Sequence, residues 1–100
     1  MATDSSLDTL GRLPGVDLFE EGLRDLSAGR ETPAAMLVAM AAPRLRSAGL
    51  KVPEHAVERP SHRLYDLLAA EHADSAHGRY NAHVGRMVSF ARAAEHAQAR

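Results

Sequence analysis

A chain of 100 residues with 45% apolar and 25% charged side chains and a net charge of -1 has the make-up of one globular domain, able to bury roughly 60 to 70% of the surface its unfolded form exposes. So balanced a charge points neither to a DNA-wrapping protein nor to an acidic tail. The absence of cysteine excludes disulfides, thiolate zinc sites, iron-sulfur clusters and cysteine nucleophiles.

Arginine outnumbers lysine eleven to one and alanine is the commonest residue, the mark of a GC-rich bacterial genome rather than of phosphate chemistry. The opening MATDSSLDTLGRLPG has neither the basic nor the apolar region of a secretory signal, and no apolar run approaches the length of a membrane span. The expected location is the cytoplasm, with no membrane partner.

In chain order, residues 1–5 are polar and read as frayed. Ser6 is a candidate cap for a short turn carrying Leu7, Leu10 and Leu13, stopped by Pro14-Gly15. A helix follows in VDLFEEGLRDLSAG, with Asp17 as N-cap and Glu20 three residues on as a capping box. Gly29 ends it, and Leu18, Leu23 and Leu26, helped by Phe19, form its buried stripe. Thr32-Pro33 is a second start signal, and AAMLVAMAA behind it is apolar nearly all round, as suits a central helix. Pro43 is expected to break this helix, leaving PRLRSAG as a short separate one ending at Gly49. Residues 50–60, with two prolines, read as a loop pinned by Leu50, Val52 and Val57. Ser61 is the expected cap of the next helix, with Leu64, Leu67, Leu68 and Glu71 marking its edges and Tyr65 between them. Asp74-Ser75 can cap again, opening a long last helix that runs to about Ala97. With no strand alternation anywhere, the class is all-α: a compact bundle of four to five helices in one domain over 1–100, with a long C-terminal helix.

The last helix carries Gly78 and Gly85 in its interior, although an interior glycine costs about 1 kcal/mol against alanine. Set at 100° per residue, its side chains sort into strips. Ala76, Tyr80, Val84, Met87, Ala91 and Ala94 form the core-facing stripe. Opposite lie Gly78, Ala82, Gly85, Ser89 and Ala93, a ridge of small residues over which another helix can cross closely. Beside the ridge run Arg79, His83, Arg86 and Phe90, which combine bidentate donors with an aromatic ring; the strip reads either as an anion or nucleic-acid site, or as a solvated flank with Phe90 folded under a neighbouring helix. His77, Asn81, Val88 and Glu95 make a mixed strip of no particular character.

Other constellations carry less. Glu71, Asp74, His77 and Asn81 follow one another at helical spacings, but the expected break at Asp74-Ser75 divides them, so no metal site is assigned. His62 and Asp66 form an i, i+4 surface pair. A helix-turn-helix with Arg44 and Arg46 on its second helix would leave that helix barely two turns long. No catalytic triad, phosphate loop or dinucleotide fingerprint appears, and neither an enzyme nor a cofactor is expected. The leading reading is a non-enzymatic protein-interaction module, self-associating as a homodimer or docking a helical partner through Gly78, Ala82, Gly85, Ser89 and Ala93, with Arg79, Arg86 and Phe90 at the rim. The alternative is binding of a nucleic acid or anionic ligand by Arg79, His83 and Arg86.

Overall fold

The computed structural model describes residues 13–54 and 57–98, and among them the chain forms four helices and no strand: α1 (Val16–Ser27), α2 (Pro33–Ser47), α3 (Pro60–Glu71) and α4 (Ala76–Gln98). The turn expected from Ser6 through Leu10 lies outside the described residues; Leu13, at its end, packs against the core.

Helix ends follow backbone chemistry, with three corrections to the sequence reading. α1 starts one residue after the Pro14-Gly15 turn, with Gly15 at the N-cap and no side-chain cap. Asp17 therefore sits inside the first turn, where its charge still favours the helix dipole but bonds no amide. At the other end the reading holds. Gly29 has φ 75 and donates its amide to the Leu26 carbonyl at 3.1 Å while Arg30 donates to Asp25 at 2.8 Å, the double bond of a Schellman motif. Gly49 repeats it after α2, with Leu50 donating to Leu45 at 3.0 Å. Thr32 caps α2 as expected, its Oγ accepting from the Ala35 amide at 3.2 Å, with Pro33 at the first helical position.

The second correction is Pro43, which lies inside a continuous α2 instead of breaking it. Its ring is exposed, while Ala42 before it and Leu45 after it are buried; apolar burial on both sides outweighs the lost hydrogen bond. The third is Ser61. α3 begins at Pro60 behind Arg59, which takes a left-handed φ of 51, and Ser61 caps nothing.

α2 is the centre of the molecule, touching all three other helices. Ala34 to Val38 are all buried, as is Leu45. α1 crosses it at Gly22, where a Cβ would run into the Ala34 carbonyl and the Val38 Cγ2. The crossing is stapled by Asp25, whose carboxylate accepts from the Thr32 hydroxyl at 2.6 Å and from Arg30 Nη2 at 2.9 Å. Those bonds, Thr32 first, hold the Asp25 carboxyl below its usual range. α3 contributes Leu64 and Leu68, and the loop before it is pinned by buried Val52 with Leu50 and Val57 half-buried, as expected. Tyr65, 40% exposed, meets Tyr80 of α4 with ring centroids 5.9 Å apart.

Candidate interaction surface on the last helix

α4 runs for 23 residues behind Ser75, whose carbonyl accepts the Arg79 amide at 2.9 Å. Its core stripe falls where the helical period puts it: Ala76, Met87, Ala91 and Ala94 are buried and Tyr80 and Val84 half-buried. Phe90 belongs with them. It is 0% exposed and stacks on Phe19 of α1 with centroids 4.5 Å apart, so it stands at the α1–α4 contact and not at the rim of an exposed surface. α1 was the neighbouring helix that the flank reading required.

Of the ridge, Gly78, Ala82, Gly85 and Ser89 are exposed and Ala93 half-buried. A Cβ added at Gly78 or Gly85 meets nothing within 4 Å. Neither glycine serves a close crossing within the described residues; that service belongs to Gly22, which the sequence pattern left unnoticed among the leucines of α1.

The basic strip comes together in part. Arg79 donates from Nε to Ser75 Oγ at 2.9 Å, and Arg86 Nη2 lies 3.5 Å from the exposed carboxylate of Asp17. His83 sits half-buried between them with Nδ1 enclosed and without a hydrogen-bond partner. Burial, with Arg86 and Arg79 adding like charge, pulls its pKa below the ordinary imidazole value, against a smaller pull upward from Glu21. With Phe90 buried, this strip exposes no ring on which a base could stack.

The mixed strip holds what periodicity alone did not show. Glu95 accepts from Arg44 of α2 in a bidentate pair, Nε to Oε2 at 2.7 Å and Nη2 to Oε1 at 2.8 Å; the Arg44 bonds hold the Glu95 carboxyl below its usual range. Arg44 of that pair also lines an open, largely apolar cleft of about 220 Å³, together with Leu37, Met40 and Ala41 of α2 and Val84, Met87, Val88 and Ala91 of α4. Val88 stands at its lip, 36% exposed. The cleft exists because two helices lie side by side, and no single-helix pattern announces it.

The remaining constellations do not assemble. The chain leaves α3 at His72 and resumes helix at Ala76, so Glu71, Asp74, His77 and Asn81 share no continuous helix face, and among the described residues no three His, Asp or Glu side chains are grouped to hold a metal. Because α2 is unbroken, Arg44 and Arg46 lie on no second helix of a helix-turn-helix; Arg46 instead donates to the Val52 and Pro53 carbonyls at 3.2 and 3.0 Å. No described helix is long and apolar enough to cross a membrane. Compared with models of protein families, with curated proteins and with solved structures, the chain has no match.

Proposed function

We propose that the protein is a non-enzymatic interaction module of the cytoplasm that receives another helix on α4, from a second copy of itself or from a helical partner, without a cofactor. The observation carrying this reading is the exposure of Gly78 and Gly85, each facing open space with nothing to fit against within the described residues. Together the two glycines cost α4 about 2 kcal/mol against alanine, and no contact of the fold described here uses the room they leave. A docked helix would use it: over Gly78, Ala82, Gly85 and Ser89 a partner backbone can come close, with Arg79 and Arg86 at the rim as the residue type favoured at interfaces.

Anion or nucleic-acid binding by Arg79, His83 and Arg86 is the weaker reading. Phe90 is withdrawn into the core, and Asp17 places a carboxylate beside Arg86. The experiment is Gly85→Leu, expected to weaken association in solution while leaving the far-UV circular dichroism intact. Retention of a labelled oligonucleotide at low salt, with affinity falling steeply as salt rises, would instead favour the anion reading.

A further inference from the structure

α3 and α4 share a concavity on the side of α4 turned away from the ridge. Ser61, His62, Tyr65 and Asp66 follow one another at spacings of one, three and one along a single edge of α3. With Tyr80 of α4 they line an open hollow of about 380 Å³. From this geometry we infer a binding site for an organic cation, an alkylated ammonium or a guanidinium, held against the Tyr65 and Tyr80 rings with its charge toward the Asp66 carboxylate. Set at 100° per residue, Tyr80 falls about 180° from Ser89 of the ridge. A helix docked on the ridge therefore leaves the hollow open, and the two readings stand or fall separately.

The aromatic walls come from two helices. The rings of Tyr65 and Tyr80 have centroids 5.9 Å apart and planes inclined at 55°, so they do not cover one another face to face. Tyr80 is anchored half-buried beside the core, and Tyr65 leaves 40% of its surface exposed. The negative face of such a ring attracts an ammonium or guanidinium lying within about 6 Å of its centroid. A shallow site of this kind needs no enclosure, because both rings already border the hollow.

Charge favours a cation over an anion. Asp66 is exposed, and among the described residues no arginine, lysine or histidine side chain is paired with it. Cations on neighbouring turns are engaged elsewhere: Arg63 donates to Glu31 at 2.8 Å and Arg79 to Ser75 at 2.9 Å. No arginine or lysine lines the hollow, whereas a carboxylate does. Asp66 also lies in the second turn of α3, beyond the first-turn amides that would attract an anion. The Ser61 hydroxyl adds an acceptor for the N–H of a guanidinium.

The test is a proton NMR titration of the full chain with four probes: choline, Nα-acetyl-arginine amide, inorganic phosphate, and neohexanol, the uncharged carbon isostere of choline. A cation is expected to shift the Tyr65 and Tyr80 ring signals saturably. Choline alone would mark a free ammonium as the ligand, and the arginine amide alone a partner's basic side chain. Neohexanol and phosphate should leave the rings nearly unmoved. Tyr65→Leu and Asp66→Asn, both at exposed positions, should each weaken cation binding by about fivefold or more with unchanged circular dichroism, while Tyr65→Phe keeps the ring and binds as the native chain does. Equal shifts from neohexanol would reduce the hollow to an apolar dent, and saturable binding of phosphate would make it an anion site. Either result, or no saturable shift from either cation up to about 50 mM, overturns the inference.

Discussion

Gly22 of α1 lies so close to the carbonyl of Ala34 of α2 that no side-chain carbon fits between them. Gly78 and Gly85 stand in the opposite condition, with open space where a Cβ would be. One substitution should therefore have opposite signs at these positions. Gly22→Ala is expected to destabilise by about 1–3 kcal/mol through overpacking. Gly78→Ala and Gly85→Ala should each stabilise the monomer by up to about 1 kcal/mol, the helix-propensity difference. Urea unfolding at a concentration that keeps the chain monomeric checks all three, and a neutral Gly22→Ala would show that the crossing relaxes at no cost.

Pro43 supplies a second expectation. Inside α2 it leaves the Ala39 carbonyl without its helical donor, yet its ring is exposed and packs no core. Pro43→Ala should raise stability by about 1–3 kcal/mol, within the interior-proline penalty. A loss of stability in the same urea titration would mean that the bend imposed by the ring is needed for α2 to reach both its neighbours.

His83 should make stability depend on pH in a defined direction. Its folded pKa lies below the ordinary 6.5, so the unfolded chain binds the proton more readily. The stability linked to its neutral form is complete above about pH 6.5, is lost as pH falls through that value, and levels off below the folded pKa. Asp25 and Glu95 are held below 3.8 and 4.5; their contributions persist until the pH nears those values, a separate and more acidic window. His83→Leu, which also removes the unpartnered Nδ1, is expected to lose less stability than the native chain between about pH 7 and 5. Equal losses in the two proteins would remove His83 from the account.

What was legible in the sequence was what is local. Thr32-Pro33, Gly29 and Gly49 act on their own backbone, and they start and stop helices where their chemistry says. The core stripe of α4 also follows, because period alone puts Ala76, Met87, Ala91 and Ala94 on one line. The failures are places where a neighbour decided the matter. Pro43 carries a local signal to stop, overridden by the burial of Ala42 and Leu45. Asp17 and Ser61 are good caps by type, but Gly15 and Pro60 start the helices one or more residues earlier. Phe90 falls at the edge of the core stripe, and Phe19 of α1 determines which side it takes. Gly22 and the α2–α4 cleft each need two helices at once, and no periodicity within either one encodes the distance between them.

The exposed edge of α4 can be tested most directly by a single reporter thiol, since the chain has no cysteine of its own. A second copy crossing over the ridge at Gly85 would bring the two copies of that residue together, and a disulfide forms only when the paired Cα atoms lie within about 4.4–6.8 Å. Under mild oxidation, Gly85→Cys, on the ridge, should give a covalent dimer on non-reducing electrophoresis, while Asp66→Cys, exposed on α3, should remain a single chain. Failure of Gly85→Cys to cross-link, or equal cross-linking from both positions, would contradict self-association through the ridge.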